Sequence, residues 1–138
     1  MTRLLLRAFL LASLLLLAGC PKSASKGTAL DEVQYAYSAA IRWGDFEGAY
    51  NLVDPKLREQ HPLTDVDFSR YKQLQISGYR DQGGTVAPNG EVVRDIEIGV
   101  INRNTLAERT VRYRERWRYD EAARTWWLTS GLPDLWGE

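Results

Sequence analysis

The chain has one cysteine and one histidine in 138 residues. A lone Cys20 excludes a disulfide framework within the chain, and a lone His61 leaves too few ligands for a zinc site of the usual Cys and His type. A catalytic triad fares no better. His61 precedes Pro62 in an expected loop, with no acid and nucleophile converging on it, so it reads as a loop residue. Excess positive charge is also missing, since lysine plus arginine and aspartate plus glutamate both number 18. A nucleic-acid binder normally carries a clear basic excess, and this chain has none. The pairs Gly83-Gly84 and Asn89-Gly90 are turn signals without the spacing of a phosphate loop. No metal and no cofactor is expected. Finally, no apolar run reaches the roughly 20 residues of a membrane span; only twelve residues separate Arg7 from Cys20.

What the N-terminus does have is the layout of an export signal: Arg3 and Arg7, an apolar stretch from Ala8 to Ala18, then small residues. The run Leu17-Ala18-Gly19-Cys20 resembles the lipobox of bacterial lipoproteins. That resemblance implies cleavage between Gly19 and Cys20 and palmitate-type acylation of the Cys20 thiol. Residues 1–19 are then a signal peptide, 20–27 a lipidated cysteine and tether, and 28–138 the folded domain. Two acyl chains, at about 0.8 kcal/mol per buried CH₂, give stable anchoring. The seven residues Pro21 to Gly27 extend at most about 25 Å, so the domain stays close to its bilayer. The expected location is the periplasmic side of a bacterial membrane. Pro21 stands where many lipoproteins retained at the inner membrane have Asp, which favours the outer membrane. Removal of the signal leaves sixteen basic and eighteen acidic residues, a single domain's length of chain, and five Trp, seven Tyr and two Phe for an aromatic core.

From Thr28 the apolar residues Leu30, Val33, Tyr37, Ala40 and Ile41 fall on one helical face, with Thr28 and Asp31 spaced like a capping box. The helix is expected to end near Trp43. Gly44 supplies the left-handed cap, and Asp45 opens a second helix running through Val53. Asp54-Pro55 stops it. A short helix is expected over Lys56 to Gln60 and another from Thr64 to Gln73, where Thr64 and Asp67 repeat the capping spacing. The period then changes to two, giving strands Leu74–Arg80, Glu91–Asn102, Leu106–Tyr119 and Thr125–Ser130 in an antiparallel meander.

The register of the central hairpin follows from charge and burial. A two-residue turn at Asn104-Thr105 sets Val92 against Trp117, Arg94 against Glu115, Ile96 against Tyr113 and Ile98 against Val111. On the other face it pairs Glu97 with Arg112, Asp95 with Arg114 and Glu91 with Arg118. A turn one residue earlier places charges against apolar groups. A longer, bulged loop is compatible with the preferred register, because Thr105 is a poor second turn residue.

This order of elements, with Gly44-Asp45-Phe46-Glu47-Gly48-Ala49-Tyr50 opening the second helix and Trp126-Trp127-Leu128-Thr129-Ser130-Gly131 closing the sheet, resembles the NTF2-like (cystatin-like) superfamily over residues 28–131. The resemblance implies an α+β fold in which N-terminal helices pack on a curved antiparallel sheet to form a cone. The superfamily includes enzymes such as ketosteroid isomerase and polyketide cyclases, and many domains that only bind. No catalytic motif of an enzymatic member can be placed on this chain.

Two features carry candidate chemistry. Arg112, Arg114, Arg116 and Arg118 project from one sheet face about 7 Å apart. Their reading is either a solvated ladder satisfied by Glu97, Asp95 and Glu91, or a surface for anionic lipid or a protein partner. Arg116 supports the second, because it opposes Val93 and lacks a carboxylate; Trp126 or Trp127 reaches this face and can stack beneath a guanidinium. Glu115 falls on the inward face between Tyr113 and Trp117. It is either an internal partner of Arg94 or a desolvated general base, with Tyr35, Tyr37 or Tyr113 donating to an oxyanion. The leading functional expectation is a membrane-anchored, non-enzymatic binding or accessory domain. The alternative is a small-molecule-binding domain, or a lyase or isomerase using a cavity around Glu115. Labelled palmitate is expected to appear on the purified chain and to vanish with Cys20→Ser; an unlabelled wild-type chain would rule out the anchor.

Overall fold

The computed structural model describes residues 25–137, so the signal segment, Cys20 and most of the tether lie outside the described residues. The chain is α+β. Four helices precede a curved, open, four-stranded antiparallel sheet of order β1-β2-β3-β4, and the first and longest of them packs on it.

Helix α1 spans Lys26–Trp43 and starts two residues before the expected Thr28. The cap is Ser25, whose hydroxyl accepts from the Thr28 N–H at 3.2 Å, so Lys26 and Gly27 form the first turn and do not belong to the tether. Its inward stripe, Gln34, Tyr37 and Ile41, is buried. Gly44 ends the helix at φ +75°, a conformation that Cβ disfavours, and the Asp45 N–H bonds back to the Ala40 carbonyl at 2.8 Å. Asp45 then caps α2, Phe46–Tyr50, by accepting from Gly48 at 2.8 Å.

Helix α2 stops before the expected Val53 because the next residues have another partner. Leu52 accepts from the Leu128 N–H at 3.0 Å and Asp54 donates to the Leu128 carbonyl at 2.9 Å, so this segment pairs with the outer edge of the sheet. Asp54 also caps α3, Pro55–Gln60. Helix α4, Asp65–Tyr71, opens with the Thr64/Asp67 capping box and ends two residues short of Gln73.

The sheet comprises β1 Leu74–Val86, β2 Val92–Asn102, β3 Glu108–Asp120 and β4 Thr125–Leu128. Strand β1 runs six residues beyond the expected Arg80. Register shifts between Ile76 and Gly78 and between Asp81 and Gly84 let it follow β2 to the end. Between β2 and β3 every pair from Val92/Trp117 to Ile98/Val111 stands as the charge and burial pattern dictates. The tip differs. Residues Arg103 to Leu106 form a wider loop, with the Asn102 side chain accepting from Asn104 and Thr105 and with Leu106 at φ +59°. That loop opens symmetrically about Asn104-Thr105, so the pairing beyond it is unchanged.

The core lies between α1 and the inner sheet face, where Tyr37 meets Trp117 edge-on at 5.6 Å over Ile96, Ile98 and Leu128. The stretch after β4 folds back into this core. Leu135 is fully buried, Pro133 accepts from the Tyr71 hydroxyl at 2.9 Å, and Tyr71 lies between Phe46 and Trp136. Leu135→Ala should therefore cost about 2–5 kcal/mol by urea denaturation, against under about 0.5 kcal/mol for Ala at exposed Val66. Equal losses would show that the 131–137 stretch is not part of the core.

Candidate functional site

Alternation along β3 turns Tyr113, Glu115 and Trp117 inward, and Glu115 is 0% exposed. A bare carboxylate there would be prohibitive. Its Oε2 accepts from Arg94 Nη2 at 2.7 Å and Nε at 3.0 Å and from Trp117 Nε1 at 2.8 Å. Its Oε1 accepts from the Tyr79 hydroxyl. Arg94 directs its other nitrogen, Nη1, to Asp81 at 3.2 Å, which leads the charge chain out toward solvent.

Burial pushes the Glu115 carboxyl up, to about 7, against the downward pull of the Trp117 N–H. The guanidinium 2.7 Å away opposes that push, because an adjacent cation favours the charged carboxylate. Burial also raises the phenols: Tyr37 well above its ordinary value, chiefly by desolvation, and Tyr113 to about 12. Tyr113 donates to the Gly131 carbonyl at 2.5 Å and stands 3.3 Å from the Tyr37 hydroxyl. Tyr35 is not part of this group. It points out of α1 and is 74% exposed, because it falls opposite the Tyr37/Ile41 stripe.

The clefts lie elsewhere, and Glu115 lines none of those described below. One of about 530 Å³ opens on the outer sheet face where Gln82 leaves the ladder, between Asp95, Glu97, Arg112 and Arg114. Two others, about 430 and 230 Å³, flank Leu132 of the returning stretch; His61, exposed at the end of α3, lines the smaller one. Among the described residues no three His, Cys, Asp or Glu side chains converge to hold a metal ion.

All four arginines lie on the outer face, but their partners differ from the expected ladder. Arg114 pairs with Asp95 at 2.7 Å, as expected. Arg116 does have a carboxylate, Glu91 at 3.8 Å, reached diagonally across the strands. Arg118 pairs with Asp54 at 2.6 Å in place of Glu91, because the α2–α3 turn carries that acid to the sheet edge. Burial pushes Asp54 up, but Arg118 and the Lys56 N–H outweigh it and hold the carboxyl below its usual range. Glu97 turns to Arg80 at 3.8 Å, so Arg112 has no ion-pair partner among the described residues. Trp127 shares this face opposite Arg118, yet no guanidinium stacks on it among the described residues. Trp126 is buried on the inner face and donates to the Lys26 carbonyl at 3.0 Å.

Tyr79 and Asp81 are functional neighbours that strand periodicity misses. Leu74 and Ile76 point inward, so strict alternation turns Tyr79 outward; the register shift at Ser77 reverses it. No family model matches the chain, and no curated protein is similar to it.

Removing Arg94 should expose the strength of burial. A carboxyl raised from 4.5 toward 7 binds protons on folding, so its stabilisation is present below pH 4.5 and is lost as pH rises through about 7. Arg94→Met removes the opposing cation, costs about 3–5 kcal/mol, and steepens that loss. Urea midpoints at pH 5 and pH 8 should separate more in Arg94→Met than in the wild type, and adding Glu115→Gln should close the gap. Parallel midpoints would contradict the pair.

Proposed function

We propose that the chain is a lipid-anchored periplasmic protein whose NTF2-like domain binds or supports a partner at the membrane and turns over no substrate. Carrying most weight is the state of Glu115, whose two oxygens already receive four donated hydrogen bonds, two from Arg94 and one each from Trp117 and Tyr79. Buried and with both oxygens occupied, the carboxylate has no open position for a substrate proton, and Tyr113, a candidate oxyanion donor, has its proton committed to Gly131. The inner face is occupied by Tyr37, Trp117 and Leu135, which leaves the outside of the domain for recognition.

The element order and curved sheet support the NTF2-like reading, with the inside of the cone filled by side chains. The lipobox-like run before Cys20 and the short tether support the anchor. Pro21 favours the outer membrane. Among the described residues no helix is long and apolar enough to cross a membrane. On the outer face, Arg112 and the adjoining cleft offer a partner's carboxylate an unmatched cation. The remaining arginines are already matched.

Crosslinking in cells followed by purification of the intact protein tests this directly. The wild type and Glu115→Gln should capture the same partner at the membrane, and Cys20→Ser should lose it. A carbonyl compound turned over by the wild type but not by a folded Glu115→Gln would replace this reading with an enzyme.

A further inference from the structure

The C-terminal half of helix α1 carries an apolar stripe that the core does not account for. Tyr35, Ala36, Ala39 and Trp43 fall within about 100° of one another around the helix, on the side opposite Tyr37 and Ile41. Tyr35 is 74% and Trp43 87% exposed, the latter unusual for so large an apolar surface. The outer stripe of a helix in a small domain is normally charged.

We infer that this stripe is the face the domain lays against the lipid bilayer, at the level of neutral headgroups; the inference rests on the lipid anchor at Cys20 proposed above. Five residue steps separate Cys20 from the Ser25 cap, a reach of at most about 17 Å. An anchored domain therefore presents the start of α1 to the membrane before any other element. The helix is about 27 Å long, and laid along the surface it brings Tyr35 and Trp43, about 12 Å apart, to the interface together. Tyrosine and tryptophan suit that depth because each has an apolar body and a polar handle. Charge at this face is mixed. Glu32, exposed, lies within the same arc one turn before Tyr35 and Ala36, exposed Asp31 borders it, and the guanidinium of Arg42 is engaged by the Tyr79 carbonyl at 3.0 Å. That balance fits zwitterionic lipid and gives no advantage to anionic lipid. The arginine face is a poorer candidate, since Asp95, Glu91 and Asp54 hold three of its four cations.

The test uses the full chain purified with its acyl groups and reconstituted into phosphatidylcholine vesicles with brominated acyl chains. Tryptophan emission should shift to shorter wavelength and be quenched, Trp43→Phe should remove the quenched component, and exchanging part of the lipid for phosphatidylglycerol should change neither. Unquenched emission from protein that carries its acyl chain and floats with the vesicles overturns the docking face while leaving the anchor intact. Absence of an acyl chain on Cys20 overturns both. If vesicle-free Cys20→Ser protein shows the same shift as its concentration rises, the stripe belongs to a second copy of the chain, and the inference fails.

Discussion

Glu115 and Arg94 face each other across β2 and β3 in direct contact at 2.7 Å, and much of the fold is arranged around that pair. A surface ion pair contributes about 0–1 kcal/mol, whereas stranding one member of a buried pair costs about 3–5 kcal/mol. The constraint is therefore one of register. Sliding β3 by one residue would turn Glu115 to the outside and Arg114 or Arg116 into the core. Trp117 and Tyr79 complete the network, so one carboxylate ties β1, β2 and β3 together. Asp81 carries the chain of charge to the surface.

The outer face follows a different rule. Its pairs are exposed or half-exposed, and Arg114–Asp95 or Arg116–Glu91 can be rearranged at small cost. Arg118–Asp54 is the exception, because Asp54 is buried and also caps α3 while its backbone pairs with β4. The sheet's last edge is thus closed by a turn between two helices. With the inside filled and most of the outer charges matched, the surfaces left for the proposed recognition are the outer cleft beside Arg112 and the aromatic stripe on α1.

Local chemistry made a good part of this legible in the sequence. The Gly44-Asp45 corner, the Thr64/Asp67 box and the β2/β3 register each depend on neighbouring or directly opposed residues, which spacing reveals. The inward position of Glu115 and its partner Arg94 followed from the same alternation. Features that need a third element were not legible. Ser25 displaced Thr28 as the cap because two residues competed for one helix start. The shift at Ser77 inverted the phase of Tyr79, and nothing in a run of alternating residues marks where a strand will bulge. Asp54 reached Arg118 from a helix turn, outside any two-strand argument. Leu135 and Pro133 enter the core from a stretch with no periodicity, anchored by Tyr71 and Arg109 from distant elements.

The ionisation of Glu115 tests the central pair most directly, and ¹³C NMR of the glutamate side-chain carboxyls across pH reads it residue by residue. The account predicts one carboxyl resonance, assigned to Glu115 by its loss in Glu115→Gln, whose transition stands clearly above the ordinary glutamate value of about 4.3 and whose shift responds to Arg94→Met. A Glu115 resonance titrating with the exposed glutamates, and indifferent to Arg94, would mean that the carboxylate is neither sealed nor paired.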